Sequence, residues 1–289
     1  MSSATVRATP DTRAALSSQV HIAYTHQILR PWGCFAGGVT YAALALADVS
    51  RYAETARRAL TFAQQGIPLA VEGYGPQSSG DNGAWPEGPG YWVYVTKWLL
   101  ATAEVLYTAT GQDNGMMETP GVANTANYAL QMYRTPSSQC FNYGDATDGA
   151  VDSDVASNLL GLAARFPQLG ESTVSTAQSA VRTPPTDTDA GWDAVVLALM
   201  RWSPPMAAAA PRQLADMPKA AFYSEQAVGV VRSGWGKRDS YLGARGGNST
   251  VTHQDLDHGT FVWETEGYRW VVSARAAHVL SHRVPLRLL

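Results

Sequence analysis

Over residues 12–203 apolar side chains recur every three or four positions, whereas beyond residue 218 they alternate with polar ones. The first pattern predicts helices that each bury one face, and the second predicts half-buried strands. The clearest helical stretch is 52–74, where Ala56, Leu60, Ala63, Ile67 and Ala70 share a stripe. An Ala/Leu helix over 39–49 precedes it, and others are expected over 91–108, 122–133, 154–166 and 192–202. Clusters of Gly, Pro, Asp and Ser at 75–90, 109–120, 134–150 and 183–191 separate them. A Pro- and Ala-rich linker spans about 203–218. Strands are then expected over 221–224, 228–232, 240–245, 260–264 and 268–272, with Trp263 and Trp270 alternating with polar neighbours. Helices followed by antiparallel strands define an α+β chain.

Composition narrows the function classes. The 289 residues are 45% hydrophobic and 16% charged, enough for one large or two ordinary domains. A net charge of −3 provides no global basic field, which argues against nucleic acid as a partner. Two cysteines, Cys34 and Cys140, make no disulfide framework and no metal spacing, and are expected to be small core residues. Residues 1–18 lack the apolar stretch of a signal peptide, and no window approaches a membrane span.

Candidate chemistry is concentrated in a few segments. In Thr252-His253-Gln254-Asp255-Leu256-Asp257-His258-Gly259-Thr260, alternate residues of an extended backbone share a face, so His253, Asp255 and Asp257 point the same way. An imidazole flanked by carboxylates is held in one tautomer and kept basic, which suits proton transfer or metal binding. A polar loop with Asp-mediated turns accounts for the segment equally well. Upstream lies Trp85-Pro86-Glu87-Gly88-Pro89-Gly90-Tyr91-Trp92-Val93-Tyr94.

With Gly37-Gly38 in an Ala-rich helix and Phe141-Asn142-Tyr143-Gly144-Asp145, these two segments give the chain a resemblance. It is similar to the heparinase II/III-like polysaccharide lyases, a family that includes oligoalginate lyases, from about Trp32 to Trp270. The resemblance implies an incomplete (α/α) helical toroid over 12–205, an incomplete antiparallel β-sandwich over 218–275, and an atypical tail over 276–289. It also implies β-elimination on a uronate-containing glycan, an acidic polysaccharide or oligosaccharide. Complete relatives are commonly exported. A base removes the proton beside the uronate carboxylate, an acid protonates the departing glycosidic oxygen, and donors neutralise the charge that develops.

Carried over residue by residue, the catalytic assignments are Tyr91, with Tyr94 one turn later as the alternative, and His253. Glu87, Tyr143, Asp145 and Arg245 are candidate substrate-binding groups. Each also has a structural reading: Glu87 as a helix cap, the Tyr143 segment as a turn, and Arg245 as a surface residue at a strand end. Asp257 is expected to orient its neighbours and His258 to be exposed. Asp255 falls where relatives place a metal ligand, so zinc is the cofactor the family implies.

Two departures bear on activity. The stretch from Arg30 to Gly38 has neither Asn nor His to hold the substrate carboxyl, His26 being out of register, and Ser273 stands where relatives have an Asp. The expectation is therefore a truncated, weakly active or inactive lyase relative that binds zinc weakly, with unpaired sheet edges and an uncovered apolar face. Two rival readings remain. A glycoside hydrolase would use carboxylates among Glu87, Asp145, Asp189 and Asp193. A non-catalytic glycan-binding fragment would stack sugars on Trp85, Trp92, Trp98 or Trp235.

Overall fold

A computed structural model describes residues 29–75, 83–146, 149, 151–181, 196–197, 200–201, 214–224, 226–247 and 257–272. Among the described residues the long helices come first: α1 (Leu29–Leu46), α2 (Ala53–Glu72), α3 (Pro89–Thr110), α4 (Pro120–Tyr133), α5 (Ser153–Arg165) and α6 (Gly170–Val181). Five strands follow: β1 (Ala220–Tyr223), β2 (Val228–Arg232), β3 (Tyr241–Arg245), β4 (Phe261–Thr265) and β5 (Tyr268–Val271). The strands form one antiparallel sheet in the order β1-β2-β3-β4-β5.

Local chemistry explains the element ends. Pro89 and Pro120 open α3 and α4 at the position where a missing N–H costs nothing. The Asp152 carboxylate accepts from the Val155 N–H and caps α5. Gly111, left-handed, closes α3 by donating to the Tyr107 carbonyl. The α2 stripe is buried as its spacing predicts, through Ala56, Ala63, Ile67 and Val71. Helix α1 packs on α2 and α3, and α5 packs on α3 and α6. A single core joins these helices to the inner face of the sheet, running from Trp85 and Trp92 through Tyr128 and Phe141 to Val230, Tyr241 and Val262.

The strands show the expected alternation, with the polar members of β4 and β5 pointing inward and the tryptophans outward. Glu264 is fully buried, and the Arg269 side chain is 3% exposed, whereas Trp263 and Trp270 are 43% and 61% exposed. The segment 131–142 explains this phase: the carbonyls of the last turn of α4 and of the loop after it lack helical partners, and arginine forks from the sheet supply donors. Arg269 donates to the Gln139 and Cys140 carbonyls at 3.0 and 2.8 Å and to Asn142 Oδ1 at 3.1 Å. Arg232 donates to the Arg134 and Gln131 carbonyls at 2.7 and 3.0 Å. Glu264 neutralises Arg269 across a 2.7 Å bond and accepts the Ser137 N–H.

Candidate functional site

The Glu87–Tyr91 segment enters α3 through Gly88, whose φ of 92° is a left-handed value open to glycine. A side chain there would also press on the Tyr143 ring and carbonyl. Gly90 sits equally close to Ala146. The two glycines thus seat the start of α3 directly on the 143–146 loop. Further bonds fix that start: the Tyr133 hydroxyl donates to the Pro89 carbonyl, the Trp92 indole to Thr125, and Asn158 to the Val93 carbonyl.

On the other side of the loop stands Asp257. Its Oδ2 accepts the Gly144 N–H at 2.8 Å, and its Oδ1 pairs with the Arg245 guanidinium. The Arg245 guanidinium carbon lies 5.2 Å from the centre of the Tyr143 ring. The Tyr143 and Tyr128 hydroxyls share a 2.7 Å hydrogen bond. Burial raises the pKa of both phenols above the ordinary tyrosine value; nearby Arg245 partly opposes this at Tyr143. Both phenols therefore stay protonated and are ill suited to act as bases.

The structure brings three of the sequence segments together: the α3 entry with Glu87 and Tyr91, the loop with Tyr143 and Asp145, and the β4 entry with Asp257. Tyr91 is half-buried at the third position of α3, packed against the core. Tyr94 is 47% exposed and meets Trp98 edge-on. Glu87 is buried, and its carboxylate accepts the Trp85 indole N–H at 3.0 Å. Tyr143 is also buried and forms the floor under Gly88, while Asp145 is the half-buried carboxylate of its loop. Arg245 is neither a surface residue nor an open clamp; its side chain is 1% exposed and paired with Asp257. His258 is exposed. His253 and Asp255, and with them the expected approach of His253 to Tyr91, lie outside the described residues.

Trp85 and Trp92 are wholly buried, which removes them as sugar-stacking groups; Trp235 is half-buried with the Arg232 guanidinium 3.6 Å from its ring centre. Cys140 is a buried free thiol whose pKa burial pushes up, as suits a core residue. The described residues do not fit a metal. They contain no set of three suitable ligands, and both Asp257 oxygens are already engaged.

Sequence reasoning missed Tyr128 and the Glu264–Arg269 pair. The pair left a signal: Glu264 and Arg269 flank the Glu266-Gly267 turn and face each other in the hairpin register. Both turn residues have positive φ, 53° and 81°, as a tight two-residue hairpin requires.

No family model matches the chain, and no curated protein does. Solved structures do match, 22 chains in all. A heparinase III gene product is 14% identical, with a TM-score of 0.54 over 90% of this chain and 36% of its own length. A mutant of the heparan sulfate lyase HepC from Pedobacter heparinus is 13% identical, with a TM-score of 0.53 over 94% and 38%. Another heparinase III is 12% identical, with a TM-score of 0.56 over 90% and 37%. The chain thus spans little more than a third of these proteins. No helix among the described residues is long and apolar enough to cross a membrane. What the likeness establishes is the fold: this α+β chain, helices first and an antiparallel sheet after, is built like part of the heparinase III structures.

Proposed function

We propose that the chain is a polysaccharide lyase-like protein acting on a uronate-containing glycan by β-elimination. The observation that carries this reading is the seating of the Glu87–Tyr91 helix entry on the Tyr143–Asp145 loop, which Asp257 ties to the sheet. Residues far apart in sequence are thereby held around one place by buried hydrogen bonds, the preorganisation that acid–base chemistry needs.

In this reading Tyr91 moves the proton. As phenolate it takes the proton on the carbon beside the uronate carboxylate; the carbon–oxygen bond to the leaving sugar breaks as the double bond forms. The glycosidic oxygen then receives a proton, from the same phenol or from His253. Tyr94 is the alternative if Tyr91 proves dispensable. Asp145 contacts sugar hydroxyls, while Tyr143, Arg245 and Asp257 keep the loop in place. Glu87 holds Trp85 and through it the approach to α3.

Incubation with heparan sulfate, alginate and hyaluronan, followed by far-ultraviolet absorbance, tests the reading. Elimination leaves an absorbing unsaturated sugar, and hydrolysis leaves none. Tyr91→Phe preserves the ring and removes the transferable proton, so turnover should fall about 10²–10⁴-fold. Unchanged turnover in that variant transfers the role to Tyr94, and saturable binding without product favours a glycan-binding protein.

A further inference from the structure

At the end of α3 away from the sheet, a cleft of about 540 Å³ opens between Tyr107, the turn from Gly111 to Glu118, and Arg165 of α5. That volume falls within the roughly 300–1,000 Å³ that small-ligand sites occupy. Tyr107 lies about 24 Å along the helix axis from Tyr91, at 1.5 Å per residue, so the cleft is remote from the α3 entry. An apolar hollow floored by Leu100, Ala103 and Met117 adjoins it, and the two share Tyr107, Asp113 and Arg165.

Buried bonds hold the walls in place. Asp113 is 5% exposed and fastens two pieces at once. Its Oδ1 accepts the Gly115 N–H at 3.1 Å, and its Oδ2 accepts the Arg165 Nη2 at 3.0 Å. The Arg165 guanidinium carbon lies 5.7 Å from the centre of the Tyr107 ring, which fixes that ring from one side. Several polar groups are then left over. Arg165 makes its bonds to Asp113 and Glu118 through Nη2, so Nε and Nη1 meet no acceptor among the described residues. Tyr107 and Glu118 are exposed, and the amides of Gln112 and Asn114 line the same wall.

We propose that this cleft binds a neutral sugar ring. The ring packs against Tyr107, while its hydroxyls meet the Arg165 N–H groups, the Glu118 carboxylate and the two amides. Hydroxyls both donate and accept, so they suit a wall that mixes donors with acceptors. Charge decides against a uronate: Asp113 and Glu118 stand against the single cation of Arg165, and a further carboxylate meets an excess of its own sign. A metal ion fits less well, since both Asp113 oxygens are engaged and the described residues contain no set of three suitable ligands. The proposal stands apart from the lyase reading, because it needs neither Tyr91 nor elimination.

Methyl glucoside and methyl glucuronoside share a ring and differ at one carboxylate, so NMR titration of the full chain with each supplies the test. A ligand of about a dozen heavy atoms should bind in the millimolar range as the glucoside, and about tenfold more weakly as the glucuronoside. Tyr107→Ala should weaken glucoside binding about tenfold, because the sugar loses its apolar plate. Glu118→Gln should keep the glucoside bound and narrow the gap to the glucuronoside. Cellotetraose that binds more tightly than the glucoside marks a residue within a glycan as the ligand, and cellotetraose that fails to bind marks a free sugar; either result upholds the site.

No glucoside binding at about 50 mM overturns the proposal. So does a glucuronoside bound as well as the glucoside. Glucoside binding that Tyr107→Ala leaves unchanged also overturns it, since the sugar then sits elsewhere. Circular dichroism establishes that the Tyr107 variant folds. If it does not, Asn114→Gly removes one amide at a φ of 56° that glycine accepts, and glucoside binding should again weaken.

Discussion

The face of the sheet turned toward the helices carries Arg232, Arg245, Glu264 and Arg269, and the opposite face carries Phe222, Val231, Leu242, Trp263 and Trp270. The charged set is buried and the apolar set is open. The inner face meets the last turn of α4 and the irregular backbone after it, 134–146, where carbonyls and N–H groups lack helical partners. Arginine forks and carboxylates answer those groups one by one, so burying charge there also solves a backbone problem. The outer face meets nothing among the described residues and offers only apolar surface. The inner contact is specific because its hydrogen bonds are directional, whereas apolar area has no direction. The inner bonds also place Asp257, and with it the loop under Tyr91.

The sharpest way to break the comparison is to remove one member of the buried pair. Glu264→Leu leaves the Arg269 cation without its counter-ion and the Ser137 N–H without an acceptor. The loss should be about 3–5 kcal/mol, read from the denaturant midpoint. Adding Arg269→Leu should recover part of it, because two apolar residues in contact cost less than one stranded charge. The Cys140 thiol provides a second reading, since its carbonyl is one of the Arg269 acceptors. In a Cys34→Ser background, thiol labelling should be slow in the parent chain and faster in Glu264→Leu. Equal labelling rates and an unmoved midpoint would show that the pair does not hold the sheet to the helices.

Next in size is the link from the inner face to the candidate site. Asp257→Asn keeps the shape of the side chain but removes the charge that meets Arg245 and weakens the bond to Gly144. A charge-assisted hydrogen bond contributes about 1.5–3 kcal/mol, and a loss in that range is expected. If the chain turns over glycan, kcat should fall in this variant even under conditions where it is fully folded, because the floor under Gly88 moves. A stability loss with unchanged kcat would mean that Asp257 ties the sheet down without shaping the site.

Much of the fold is legible in the residues, and the reasons are local. The Ala56-to-Ile67 stripe and the Pro and Gly residues at the ends of α3 set helix limits within a few residues. Strand limits follow from the alternation and from the Glu266-Gly267 turn. Helix α1 begins ten residues before the expected 39, since Arg30-Pro31-Trp32-Gly33 reads as a breaker when its neighbours are unknown. Helix α6 is missed because Thr173, Ser175 and Thr176 interrupt its apolar spacing. The site is legible only in part. Three of the motif segments come together, but burial of Tyr143 and Arg245 depends on partners more than 100 residues away, such as Gly144 for Asp257. The phase of β4 and β5 is likewise not legible in the sequence: alternation gives the period of a strand, and the partner decides which phase is inside.

The smallest expected effect sharpens the comparison most, because it uses two adjacent residues on one strand. Val230 is 4% exposed on the inner side of β2, and Val231 is half exposed on the outer side. Valine to threonine preserves shape and strand preference and adds only a hydroxyl, so position alone sets the outcome. In Val230→Thr the hydroxyl enters the core that also holds Tyr241 and Val262 and costs about 1–3 kcal/mol unless it finds an acceptor. In Val231→Thr it stays in water, and stability should change by no more than about 0.5 kcal/mol.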